Sequence, residues 1–320
     1  MSGGTRRLFR GETTINFYGR RNVGFIASGL LVLITIISLF AQGLNLGIDF
    51  KGGVAFEVPV QGSISIDVVE DVLKSEGVLD DGVKIQTLKS ETESRIRIQL
   101  GDQEPQKVTA IQTALAEKAN LTVNDVSVST VSSTWGRNIT MKAVNALLVF
   151  FLVVSIFISF RFEWRMAASA IAAMAHDVAI SVGLYSVLGL EVTPATVVAF
   201  LTILGFSLYD TIVVFDKVHE NTTRYSASKV SYGDIINVSM NQVLMRSINT
   251  SLAAVLPVLS LLVLGSWVMG AIALQEFALA LLVGLLLGAY SSIYIATPLL
   301  AVFKGRELKF RSLEGSLRLG

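Results

Sequence analysis

The chain has 320 residues, of which 52% are hydrophobic and 16% charged, with a net charge of +1 and no cysteine. Soluble domains carry about 25% charged residues, so this balance is that of a membrane protein, and the near-neutral charge offers no basic surface for nucleic acid. The absence of cysteine excludes disulfides, thiolate metal sites and cysteine nucleophiles.

Residues 1–22 hold Arg6, Arg7, Arg10, Arg20 and Arg21 and no apolar run. Residues 23–41 then pass without a charge. A signal-peptide core is about 7 to 15 residues long and ends at a small-residue cleavage site. This run is longer and leads straight into a folded-looking segment, which predicts a retained first transmembrane helix over 23–44.

Residues 45–135 differ in character. They open with NLGIDFKGGVAFEVPV, a Gly-Gly turn and an alternating strand. Residues 66–75 read as a helix with Ser65 as N-cap. Residues 83–88 and 95–100 alternate like two strands across the polar KSETES turn. Residues 105–119 read as a helix with Pro105 in its first turn, and 126–131 alternate again. The order β-α-β-β-α-β is the split βαβ, ferredoxin-like pattern. The expectation is a small α+β head between the first and second spans. With no histidine and no metal-ligand spacing in it, it reads as a spacer with no chemistry of its own rather than as an enzymatic head.

Five further spans are expected within 136–303: residues 143–160, 167–190, 195–215, 243–263 and a sixth inside 271–300. The fold class is therefore a six-helix polytopic membrane protein with one ferredoxin-like head. Lys and Arg fall on alternate connections: the N-terminus, 161–165, a polar loop over 217–242 with Lys217, Arg224 and Lys229, and the tail 304–320 with Lys304, Arg306, Lys309 and Arg311. The links 191–194 and 264–270 carry none. The positive-inside rule then puts both termini in the cytoplasm and the head outside.

Ionisable residues inside the spans are few. Asp210 precedes Ile212, Val213, Val214 and Phe215, so it lies roughly 9 Å inside the charged exit at Asp216 and Lys217. A charge there costs about 2.5 to 3.5 kcal/mol on insertion scales, which makes it a functional candidate if a partner exists. On the fifth span Arg246, Asn249, Thr250 and Ala253 share one helical face. Arg246 either meets Asp210 across the fourth and fifth spans or snorkels to the cytoplasmic interface. His176 and Asp177 are adjacent near the middle of the third span, as part of a proton path or as a structural polar cluster. Ala280, Gly284, Gly288 and Ser292 recur every four residues on the sixth span, a stripe suited to close helix packing. Gly205 is a further packing candidate.

The turn Gly47, Ile48, Asp49, Phe50, Gly52, Gly53 sits where the first span becomes the head. Glycine adopts backbone angles other residues avoid, and Asp49 is placed to cap or hydrogen-bond the turn. It is either a hinge coupling span movement to head orientation or a static tight turn.

These stretches resemble the SecF proteins of the SecD/SecF family. NLGIDFKGG (45–53) is similar to the family's G-I-D-F-x-G-G signature, and Ala175-His176-Asp177 to its third-span A-H-D. LTILGFSLYDTIVVFDKVHEN is similar to its fourth-span block, NVSMNQVLMRSINTSL to its fifth-span arginine block, and YSSIYIATPLL to its sixth-span ending. The resemblance covers nearly the whole chain. It implies membership of the resistance-nodulation-division superfamily and no enzymatic activity or cofactor. It implies a role beside SecD in completing protein export, driven by the proton-motive force. The implied partners are SecD, the channel subunits SecY, SecE and SecG, transiently SecA, and the translocating unfolded polypeptide. The implied location is the bacterial inner membrane. Asp210 and Arg246 fall on the family's functional aspartate and arginine, while Phe206, Tyr209, Val243 and Ala253 depart from its commoner residues. A small-molecule exporter of the same superfamily and a passive translocon scaffold are the alternative readings.

Overall fold

The computed structural model describes residues 13–60, 64–80, 82–89, 94–225, 230–268 and 272–305. Arg6, Arg7, Arg10, the middle of the KSETES turn, Lys229 and the tail from Arg306 onward lie outside the described residues.

Six helical segments are long and apolar enough to cross a membrane. The first span, α1 (Arg21–Ala41), buries only Gly24, Ser28, Thr35 and Ser38. Small and hydroxyl-bearing residues let backbones approach closely in lipid. Gly24 and Ser28 meet Tyr294 and Tyr290 of the sixth span, while Thr35 and Ser38 lie on α6 (Trp164–Leu188), where a Cβ on Gly183 would run into the Thr35 hydroxyl and Ser38 meets Ser186 at 2.7 Å. The segment before α1 is tied to the fifth span by side-chain amides. Asn241 exchanges two hydrogen bonds with the Ile15 backbone, and Asn237 accepts from the Tyr18 amide.

The head is a four-stranded antiparallel sheet of β2 (Gly53–Pro59), β3 (Lys84–Lys89), β4 (Ser94–Leu100) and β5 (Ser127–Val131), in spatial order β3-β4-β2-β5. Helices α3 (Ile66–Ser75) and α4 (Pro105–Ala119) complete it. This is the ferredoxin-like arrangement read from the element order. Period-two alternation puts Val54, Phe56 and Val58 of β2 and Ile96, Ile98 and Leu100 of β4 into one core, closed by Leu73, Ile111 and Leu115 from the helices. Ser65 caps α3 by accepting from the Val68 amide, and Asn120 ends α4 in the left-handed region.

Three local features differ from the sequence reading. Between β1 (Asn45–Leu46) and β2 the chain makes a single helical turn, α2 (Ile48–Lys51), ahead of the expected Gly-Gly turn and strand. β1 instead pairs in parallel with β6 (Glu191–Val192), the link between the third and fourth spans. The second span, α5 (Ser133–Arg161), starts ten residues earlier than its apolar core, because β5 runs directly into it and Ser132 caps it. The long polar loop over 217–242 is mostly helix. α7 (Pro194–Arg224) continues to Arg224 and α8 (Tyr232–Leu261) begins at Tyr232. Polar residues satisfy one another across these extensions: Asn221 donates to Ser239 at 2.8 Å and to Gln242 at 2.9 Å.

The fifth span ends in a π-helical segment, Leu262–Val268, one turn beyond Pro257. The sixth comprises α9 (Ile272–Ser291), a π-helical segment Ser292–Ala296, and α10 (Thr297–Gly305). A π turn carries one extra residue and frequently marks a functional position inside a helix.

Candidate functional site

The polar centre of the bundle is built on two carboxylates. Asp177 on α6 is fully buried, and Asp210 on α7 is 7% exposed. Each accepts hydrogen bonds from two serines on other helices. Asp177 accepts from Ser207 of α7 and Ser291 of α9, both at 2.6 Å. Asp210 accepts from Ser247 of α8 at 2.5 Å and from Ser292 at the start of the sixth-span π segment. Buried charged groups persist only when their acceptor sites are satisfied, and serine hydroxyls supply that here. The His176 ring nitrogen Nδ1 stands 3.0 Å from Asp177. Its Nε2 is buried without a partner among the described residues.

Arg246 does not pair with Asp210. Among the described residues it has no ion pair within 4.0 Å and is exposed on the surface of the chain. The reason is helical phase. Val243, Leu244 and Ser247 occupy the buried stripe of α8, and Arg246 lies about 100° away from Ser247. The side chain that reaches Asp210 is therefore the neighbour, Ser247. Asn249 is also exposed.

Asp210 borders a cavity of about 560 Å³ between the fourth, fifth and sixth spans. Phe206, Tyr209, Thr250, Ala253 and Pro257 help to line it. Phe206 and Tyr209 are about half exposed, so one side of the cavity opens on the surface of the chain. Three of the four departures from the family pattern, Phe206, Tyr209 and Ala253, therefore line this cavity.

The small-residue stripe separates on inspection. Gly284 sits against Ile203 of α7, where a Cβ would come within 2.1 Å, and Gly288 sits 3.2 Å from Ser207 by the same measure. Ser292, expected to pack, hydrogen-bonds Asp210 instead. Gly205 is exposed and a Cβ there would meet nothing within 4 Å, so it takes no part in packing among the described residues.

At the head end of the bundle, the 47–53 turn is wedged between head and membrane helices. Gly52 and Gly53 have φ of 81° and 124°. A Cβ on Gly52 would lie 2.5 Å from the Ser133 backbone, and one on Gly53 would lie 2.2 Å from the Leu100 carbonyl oxygen. Gly136 of α5 lies as closely under Phe50. Ile48 and Phe50 are buried, whereas Asp49 accepts no side-chain hydrogen bond among the described residues. Beside the turn, buried Glu191 accepts from Gln99 at 2.9 Å and pairs with Arg97 at 3.3 Å, which fastens β4 to the link between the third and fourth spans. Lys84 donates to Asn45. Burial and the charge of Lys51 hold its ammonium below the ordinary lysine range, and Glu191 acts in the opposite direction.

Comparison with known proteins decides the family. The model described as "Protein export membrane protein SecD/SecF, C-terminal" matches residues 110–306, and "SecD/SecF GG Motif" matches residues 37–64. The chain belongs to the SecD/SecF protein-export family. The protein translocase subunit SecF of Mycobacterium leprae is 40% identical over 95% of this chain and 67% of its own length. That of Streptomyces coelicolor is 39% identical over 96% of this chain and 82% of its own. The crystal structure of SecDF from Thermus thermophilus, a translocon-associated membrane protein, superposes with a TM-score of 0.81 at 33% identity, over 94% of this chain and 41% of that one. The family's GG motif thus coincides with the wedged turn. The family's C-terminal region carries both carboxylates and all four serines that hold them.

Proposed function

We propose that this chain is the SecF-type subunit of the Sec protein-export machinery and that it works with a SecD-type partner to complete preprotein passage, using the proton-motive force. The observation that supports the engine reading best is Asp210. It is a membrane-embedded carboxylate held, among the described residues, only by hydroxyls, beside a cavity that opens on the surface of the chain. A hydroxyl donates to a carboxylate and accepts from a carboxylic acid, so this cage accommodates both protonation states. An ion pair with Arg246 would favour only the charged one. Asp177 with His176 forms the second ionisable position of the same path.

Arg246 and Asn249 are exposed, as are Phe206 and Tyr209 at the cavity opening. The Thermus and Bacillus subtilis relatives are translocase subunits SecDF, of which this chain spans 39% of the length. We assign the exposed side of the fourth and fifth spans to a second six-span unit supplied by SecD. There Arg246 acts on the assembled site rather than within this chain alone. The Sec channel and the unfolded passenger are the further partners. The protein-export family models favour this reading over a small-molecule exporter, and a passive scaffold finds no such support in the carboxylate cage.

The proposed orientation has both termini in the cytoplasm and the head outside. A cysteine at Lys118 on the head is expected to react with an impermeant thiol reagent in spheroplasts, and one at His219 on the α7 extension only after lysis. Reversed labelling would overturn the orientation and the direction of proton flow.

A further inference from the structure

Ser291 and Ser292 are consecutive, and both are fully buried. One donates to Asp177 on the third span and the other to Asp210 on the fourth. Neighbouring residues on a helix point about 100° apart, so one peptide unit of the sixth span reaches two carboxylates on two helices. Each hydroxyl also has a second acceptor on its own helix. The Gly288 carbonyl lies 3.2 Å from Ser291 Oγ, and the Ala289 carbonyl 3.2 Å from Ser292 Oγ. Ser207 and Ser247 touch the same two carboxylates but have no second acceptor among the described residues.

We propose that Ser291 and Ser292 are positioning residues that couple the two carboxylates, so that a change of charge at Asp210 is registered at Asp177. This rests on the reading of Asp210 as a proton carrier. A serine hydroxyl holds one hydrogen. While Asp210 is ionised, Ser292 gives that hydrogen to the carboxylate. When Asp210 is protonated, the acid O–H needs an acceptor. Ser292 Oγ becomes that acceptor by turning its own hydrogen to the Ala289 carbonyl. A hydroxyl bonded back to its own helix bends it, and the bend falls where the sixth span has already left α geometry for its π segment. Thr297 holds the Ser292 carbonyl across that segment at 2.6 Å. Ser291 shares the moving peptide and so carries the change to Asp177. The other ionisable group in contact is His176, on Asp177; Arg246 faces outward from α8.

Infrared difference spectroscopy on the full chain with its SecD-type partner in lipid vesicles tests this, with the Asp177 and Asp210 carboxyl bands assigned by Asn substitution. Asp210→Asn is expected to shift the Asp177 band. The shift should be lost in the Ser291→Ala/Ser292→Ala background and kept in Ser207→Ala/Ser247→Ala, which removes as many hydrogen bonds from the same carboxylates. Thermal unfolding of the two backgrounds should fall to a similar degree, which separates coupling from stability. An Asp177 band indifferent to Asp210→Asn, or a shift that survives loss of both sixth-span serines, overturns the coupling. Export is scored separately: Asp210→Asn with uncoupler-sensitive export intact would sink the proton-carrier reading and leave the spectroscopic link to be judged by itself.

Discussion

Asp210→Asn is expected to reduce export of a Sec-dependent reporter to the level of the parent treated with an uncoupler, at matched protein abundance. The amide has nearly the same volume. Its oxygen still accepts from Ser247 and its NH₂ donates to Ser292, the two groups that now meet Asp210. The cage stays satisfied while the capacity to carry a proton is gone. One charge crossing about 100 mV is worth roughly 2.3 kcal/mol, more than tenfold in a conformational equilibrium, so the loss should be near complete. The Arg246→Met chain should accumulate normally, because Arg246 is exposed and unpaired within the described residues. The double variant Asp210→Asn/Arg246→Met should remain inactive, since there is no internal ion pair for it to neutralise. A double variant as active and as uncoupler-sensitive as the parent would restore the scaffold reading.

The second large effect is at the wedged turn. Gly52→Val and Gly53→Val each put a branched side chain at positive φ and drive a Cβ into backbone, Ser133 in one case and Leu100 in the other. Holding a side-chain-bearing residue at such a positive φ costs about 1 to 3 kcal/mol by itself. Overpacking adds about 1 to 3 kcal/mol, and backbone has no rotamer with which to give way. The expected result is loss of export together with faster proteolytic release of the head in membranes. Export at the parental rate in either variant would mean that the turn is dispensable. The expected failure comes from separating head and helices rather than from stiffening a free hinge, because the turn is packed on both sides.

The head was legible in the sequence because each of its cues is local. Val54, Phe56 and Val58 alternate, Ser65 and Pro105 mark helix starts, and the order of elements restricts the topology to a handful. The buried ionisable residues were legible for the opposite reason: Asp177 and Asp210 stand out against apolar surroundings. Their partners were not. Serine is common in membrane helices and its spacing carries no sign of what it meets. Ser292 falls on a small-residue stripe that explains it by packing alone, and Ser247 is eclipsed by the charge of Arg246 next to it. One residue is about 100° of helix, and no pattern within the fifth span sets its rotation against the fourth. The π segment of the sixth span has no sequence signature of its own.

The join between β5 and α5 has a mechanical meaning. The last strand of the head passes through Ser132 straight into a continuous helix of 29 residues ending at Arg161, with its head-side end gripped at Gly52 and Gly136. One face of that helix, with Leu148, Leu152, Ile156 and Phe160, is exposed, while Val154 and Ile158 on the other face are buried in the bundle core. It is therefore a rod clamped at the head and seated on the bundle along one face of its far half. At about 1.5 Å per residue it is roughly 44 Å long, so a tilt of about 5° at the clamp sweeps its far tip through roughly 4 Å. That tip carries Arg161, 3.5 Å from Asp216 on the fourth span, six residues beyond Asp210. A small rocking of the head thus arrives on the opposite side of the bilayer as a displacement larger than the length of the ion pair it meets.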